Sequence, residues 1–166
     1  MIQSQTPFRV SLFGGGTDFP AWYNKNGGKV LSSSIQQFSY ITVRYLPKIF
    51  GVKNRIVYSK IELEDKISDI RHPSVRAVLQ YMRINEGLEI SYNADLPSFT
   101  GLGGSSSFTV GLLNALYSLK NIKISKKKLS EKAIFIEQKI LKEPVGSQDQ
   151  IAASHGGFNL INFNKN

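Results

Sequence analysis

No cysteine occurs in this chain, so disulfides, thiolate metal sites and cysteine nucleophiles are excluded. Imidazole is nearly as scarce: His72 and His155 are the only histidines, which argues against a transition-metal cluster built from side chains. No apolar run reaches the length needed to span a bilayer. The opening residues, Met1 to Pro7, lack the basic and apolar regions of a secretory signal, and the expectation is a cytoplasmic protein. Internal repeats and low-complexity tracts are also missing. What remains is an ordinary folded composition, 41% hydrophobic and 20% charged over 166 residues, enough for one domain and too little for two.

Acidic residues are the minority: 12 against 21 lysines and arginines, a formal charge of +9. The excess is concentrated between Lys120 and Lys142, where eight lysines face Glu131 and Glu137. Nucleic-acid surfaces combine arginine with stacking aromatics or glycine, and that combination is absent here. The segment reads as a solvated basic helix and its approach, with attraction of small anions as a secondary effect.

Alternation of Phe8, Val10 and Leu12 predicts a strand from Phe8 to Phe13, stopped by Gly14-Gly15-Gly16. Residues Lys29 to Leu46 are rich in β-branched and aromatic types and predict two strands, with further strands at Arg55 to Ser59, Leu88 to Ala94 and Phe158 to Phe163. Helices are predicted at Pro73 to Asn85, after Gly104, from Ser125 to about Leu141, and from Ser147 to Ser154. Strands and helices in this irregular order predict an α+β fold rather than a doubly wound sheet.

The densest chemical signal runs from Pro97 to Ser107, where Gly101, Leu102, Gly103 and Gly104 lead into Ser105, Ser106 and Ser107 and then an apolar helix. Glycines allow backbone N–H groups to converge on an anion, and the helix start adds unpaired N–H groups and a positive dipole end. A serine-capped helix after a flexible turn is the plainer alternative. The familiar phosphate loops do not fit: Gly104 is followed by serine where a P-loop needs lysine, and Ser106 stands where a dinucleotide fingerprint needs glycine.

Four other positions carry candidate chemistry. In the corner Gly16-Thr17-Asp18, the aspartate offers an acceptor for polyol hydroxyls or simply forms an Asx turn before proline. Arg9, on the polar side of its strand, suits a transferring phosphoryl group or an ordinary surface. Glu137 borders the apolar stripe of its helix, positioned either to pair with a lysine or to ligate a divalent cation. Asp149, between Gln148 and Gln150, is either an oriented base or a first-turn acid of a helix capped by Ser147. His72 reads as a loop residue and His155 as part of a turn; Phe19, Trp22 and Tyr23 read as packing.

Taken in order, these segments resemble the GHMP kinase superfamily of galactokinase, homoserine kinase, mevalonate kinase and phosphomevalonate kinase. Pro7 to Asp18 is similar to the family's first motif in its sugar-kinase form, and Gly101 to Ser107 to the Gly-Leu-Gly-Ser-Ser-Ala loop that wraps ATP phosphates. Within the superfamily, Phe-Gly-Gly-Gly-Thr-Asp-Phe-Pro and Val-Gly-Ser-Gln-Asp-Gln resemble the heptose 7-phosphate kinases. The resemblance implies a two-layer α+β fold of the ribosomal protein S5 domain 2-like type. It implies ATP and Mg²⁺ as cofactors, and transfer of the γ-phosphoryl group to the anomeric hydroxyl of a phosphosugar. It further implies a triphosphate on Gly101 to Ser107, Mg²⁺ held by Ser105 and Glu137, Asp149 as base, Arg9 stabilising the transferring group, and Gly16, Thr17 and Asp18 on the sugar. The implied partners are a small phosphosugar and ATP, with no membrane and no nucleic acid, and a homodimer left open. Gly104 departs from the motif, standing where the family has its first serine. Residues 1–166 correspond to the family's N-terminal domain, and the second domain, with a third glycine-rich motif, is expected to be absent. A binding module without turnover, or a kinase for galactose or fucose, remains the alternative reading.

Overall fold

The computed structural model describes residues 1–97 and 100–165, so Ser98 and Phe99 of the predicted phosphate loop lie outside the described residues. Six strands form one sheet: β1 (Ile2–Phe13), β2 (Gly28–Tyr45), β3 (Asn54–Val57), β4 (Ile61–Glu64), β5 (Leu88–Ala94) and β6 (Phe158–Phe163). The order is β1-β2-β5-β3-β4, with β6 pairing the first half of β2. Every pairing is antiparallel except β3 with β5.

The two strands predicted between Lys29 and Leu46 are one. β2 runs 18 residues, with Gly28 to Ser33 paired to β6 and Ser39 to Tyr45 paired to β5, while β1 follows both halves. The register of β1 against β2 shifts between Pro7 and Arg9 and again between Ser11 and Phe13, and Leu12 and Phe13 are exposed although Phe8 is buried.

Helices α1 (Pro20–Asn26), α2 (Pro73–Tyr81), α3 (Gly104–Leu119), α4 (Lys126–Phe135) and α5 (Gln148–His155) complete the fold. Pro73 begins α2, and the His72 ring accepts the Val75 N–H, so the residue read as a loop histidine is an N-cap. The helix predicted to reach Asn85 stops at Tyr81, and Arg83 takes a left-handed φ of 50°. Ser125 caps α4 as predicted by accepting the Lys128 N–H, and the helix passes at Ile136 into a single π turn, Ile136–Ile140.

Alternation in β2 and β5 sends Ile41, Val43 and Ile90 to one face, where α2 and α3 bury Val75, Val78, Leu79, Leu112, Leu113 and Leu116. α3 is the apolar centre of this layer. Truncating the fully buried Leu113 to alanine is expected to cost about 2–5 kcal/mol, from lost transfer energy and the cavity left behind, read as a lower urea midpoint. No helix among the described residues is long and apolar enough to cross a membrane.

Candidate active site

Gly103 caps α3 in the left-handed region, φ +80°, and Gly101 has φ +74°, conformations a Cβ would strain. No side chain caps this helix start, and the first intrahelical bond runs from the Ser107 N–H to the Gly103 carbonyl. The N–H groups of Gly104, Ser105 and Ser106 therefore have no partner from the helix itself. Two contacts from β1 hold the loop: the Arg9 N–H donates to the Leu102 carbonyl at 3.0 Å, and Arg9 Nη1 donates to the Gly101 carbonyl at 2.8 Å. A Cβ on Gly104 would stand 3.2 Å from the Phe8 ring, a tight contact that the ring would have to relieve by a few tenths of an ångström.

The rest of the Arg9 guanidinium grips Asp149. Nε donates to Oδ1 at 2.8 Å and Nη2 to Oδ2 at 2.7 Å, a bidentate pair joining β1 to the first turn of α5. Burial pushes the Asp149 carboxyl above the ordinary aspartate range, opposed by the Arg9 charge.

One turn of helix separates the fates of three serines. Ser105 is exposed at the loop's edge, Ser106 Oγ donates to Glu137 Oε2 at 2.8 Å, and Ser107 Oγ donates to the Pro7 carbonyl at 2.8 Å. The resemblance assigns Ser105 and Glu137 to Mg²⁺; the hydroxyl that bonds Glu137 directly is that of Ser106, because each residue of a helix turns by about 100° and Ser106 is the one facing the π turn. Glu137 is fully buried rather than bordering the stripe. Gln150 Nε2 also donates to Oε2, while Oε1 has no hydrogen-bond partner among the described residues.

Burial raises the Glu137 carboxyl, with bonds from Gln150 and Ser106 opposing. The folded state therefore takes up this proton more readily than the unfolded chain, and the group destabilises the fold as pH rises from the ordinary 4.5 through its raised folded value. Glu137→Gln is expected to raise Tm at neutral pH, the gain vanishing as pH falls toward 4.5; parallel melting curves across that interval check it.

Asp18, the carboxylate that the resemblance assigns to the sugar, lies in the corner between β1 and α1. It is 1% exposed, with Oδ1 accepting the Gly16 N–H at 3.0 Å and Oδ2 accepting the Gln148 N–H at 3.1 Å. The Thr17 hydroxyl donates to the Gly14 carbonyl at 2.8 Å and accepts the Lys29 N–H at 3.2 Å, closing the same corner from within, while Gly16 is exposed.

A cleft of about 760 Å³ opens beside the loop, lined on one wall by Arg9, Gly101, Gly103, Gly104, Ser105 and Asp149. The same lining includes an aromatic wall that the sequence reading missed. His72 stacks on Phe108 at 4.7 Å, with Tyr58 edge-on to His72 and Tyr92 edge-on to Phe108, each at 5.0 Å. Burial lowers the His72 pKa, favouring the neutral ring that accepts from Val75. Four residues scattered between positions 58 and 108 left no local pattern from which this wall was legible.

Solved structures that share this fold include small-molecule kinases. A D-glycero-D-manno-heptose 1-phosphate kinase from Bacteriodes thetaiotaomicron superposes with a TM-score of 0.88 at 25% identity, over 99% of this chain and 57% of that one. The Methanococcus jannaschii mevalonate kinase shares the fold alone, at TM-score 0.75 and 19% identity, over 99% of this chain and 54% of that one. The family profile described as GHMP kinases N terminal domain matches residues 72–157, just over half of the sequence. The chain belongs to the GHMP kinases, and its two-layer α+β fold is the ribosomal protein S5 domain 2-like fold of their N-terminal domains. The D-glycero-alpha-D-manno-heptose 7-phosphate kinase of Campylobacter jejuni is 32% identical over 99% of this chain and 51% of that protein. The Pyrococcus furiosus galactokinase is 29% identical over 98% and 46%. The chain thus spans about half the length of the curated relatives it matches.

Proposed function

We propose that this chain is the ATP-binding domain of a sugar kinase that phosphorylates the anomeric hydroxyl of a heptose 7-phosphate. The observation that carries the reading is the bidentate Arg9–Asp149 pair beside the uncapped, glycine-rich start of α3. The triphosphate is placed on Gly101, Leu102, Gly103, Gly104, Ser105, Ser106 and Ser107, where backbone N–H groups supply most of the contacts that Gly104 lacks as a hydroxyl. Asp149 accepts or orients the proton of the attacking hydroxyl, and Arg9 stabilises charge on the group in transit; positioning and electrostatics do most of the work in phosphoryl transfer. The sugar is placed against the corner of Gly16, Thr17 and Asp18.

One buried carboxylate beside a hydroxyl fits Mg²⁺, which takes one or two carboxylates and leaves its other positions to water and phosphate. Ser105 and the unpartnered Glu137 Oε1 are the groups that would hold it, with the Ser106 hydroxyl bonded to the same carboxylate. When bound, the ion neutralises phosphate charge. The substrate assignment rests on the 32% identity with the Campylobacter jejuni enzyme.

An ATP-consumption assay with heptose 7-phosphate beside galactose, fucose and mevalonate tests the proposal. Turnover with the heptose alone is the expected result. Turnover confined to galactose or fucose reassigns the sugar, and MgATP binding without turnover on any of the four makes the chain a nucleotide-binding module.

A further inference from the structure

We propose that Glu62 is a positioning residue for the aromatic wall: its carboxylate ties Tyr58 to the turn at Arg71 and His72, and so fixes the face against which the base of the nucleotide stacks. This rests on the reading of the chain as an ATP-binding domain. A triphosphate on Gly101 to Ser107 leaves its nucleoside in the same cleft, where Tyr58, His72, Tyr92 and Phe108 stand.

β4 inverts the usual alternation. At the edge of the sheet it exposes Ile61 and Leu63 and buries Glu62, only 6% exposed, between them. A buried carboxylate needs donors, and the donors this one finds come from the segments that build the wall. Oε1 accepts the Tyr58 hydroxyl at 2.8 Å and the His72 N–H at 3.0 Å, and Oε2 accepts the Arg71 N–H. Bonds to an ionised acceptor are about twice as strong as neutral ones, so the three hold more firmly than an amide in the same place would.

The clamp reaches the His72 ring through the backbone. His72 enters α2 as its N-cap, with its N–H held by Glu62 and its Nδ1 accepting the Val75 N–H. Between those two bonds the imidazole lies flat on Phe108, the ring centres 4.7 Å apart and the planes 19° from parallel. Tyr58, whose hydroxyl is held by the same Oε1, meets His72 edge-on, with 86° between the planes. One oxygen therefore sets two of the four rings relative to each other. Phe108 lies one turn beyond Gly104 on α3, so the wall and the phosphate loop share a helix. Base–aromatic stacking depends on how flat and how close such rings lie, with no hydrogen bond to the base required.

Glu62→Gln keeps the shape but offers one acceptor oxygen in place of two, so at least one of the three donors loses its partner. Tyr58→Phe keeps the ring and leaves Glu62 its backbone donors, and it carries the same comparison should Glu62→Gln fail to fold. Calorimetric titration is expected to show Kd for MgATP raised about tenfold in Glu62→Gln and about threefold in Tyr58→Phe, as stacking on the wall weakens. Magnesium tripolyphosphate can engage the phosphate loop but not the wall, and its Kd is expected to change less than about twofold on the same grounds. In turnover, KM for ATP rises in both variants while kcat stays within about twofold, because the reacting groups are untouched. His72 and His155 are the only histidines, so their ring protons are simple to assign by NMR. The upfield ring-current shift of His72 over Phe108 is expected to shrink in Glu62→Gln. MgATP and tripolyphosphate weakened by the same factor would make Glu62 a support of the whole domain and overturn the proposal. Wild-type MgATP affinity in both variants, or a His72 shift unchanged in Glu62→Gln, would overturn it as well. If the wild-type protein binds neither ligand, the ATP-binding reading fails and takes the proposal with it. If it binds both with equal affinity, the loop takes a triphosphate, the wall takes no base, and the proposal alone fails.

Discussion

Asp149→Asn is expected to lower kcat for phosphoryl transfer by about 10²–10⁴-fold, the range attributed to a positioned acid or base. The amide keeps the shape of the carboxylate and can still accept one bond from Arg9, so the fold and MgATP affinity are expected to be nearly unchanged. A single-turnover measurement beside calorimetric titration with MgATP separates the two effects. Full activity in the variant would remove Asp149 from the reaction. The pH profile carries a second signature. Burial holds the Asp149 carboxyl above the ordinary 3.8, so the acid limb of the wild-type profile belongs above that value.

Arg9→Met is expected to cost about 10³-fold in kcat, the lower end of what an arginine on a transferring phosphoryl group contributes. It also strips the counter-charge from a half-buried carboxylate and the support from the Gly101 carbonyl. Arg9 is what restrains the rise of the Asp149 pKa, so its loss raises that pKa further and moves the acid limb to higher pH. Stability follows the same sign. A carboxyl raised on folding makes the protein less stable as pH climbs from 3.8 through the folded value, and in Arg9→Met that decline extends further toward neutrality. Denaturant midpoints from pH 4 to 8 check it. Equal slopes in the two proteins would mean the ion pair does not govern this carboxylate.

Local pattern was enough where an element carried its own period. Leu88–Ala94 and Phe158–Phe163 were legible at both ends, because each alternates cleanly between turn signals. α1 left no trace: it buries no residue, so it has no apolar stripe to read. β4 is four residues long and owes its strand geometry to pairing with β3. The single span of β2 escaped because two different partners, β5 and β6, sustain its two halves and neither is near it in sequence. In the site, the glycine-dense loop and the candidates Arg9, Glu137 and Asp149 were visible as residue types out of place. Their pairings were not. The bond of Ser106 to Glu137 depends on how α3 is rotated against the π turn, and Gln150 reaches Glu137 only because α5 packs beside it.

The sequence alone determined that this is an α+β GHMP-type domain with a glycine-dense loop at a helix start, since those properties reside in glycine spacing, alternation and motif order over short stretches. Tertiary structure decided how the loop at Gly101 to Ser107 is completed. Arg9 braces it 92 residues away, Glu137 backs it through Ser106, and Asp18 caps a helix 130 residues distant. A buried donor or carboxylate must take whichever partner the packing brings within about 3 Å, and no local pattern in the chain records that choice.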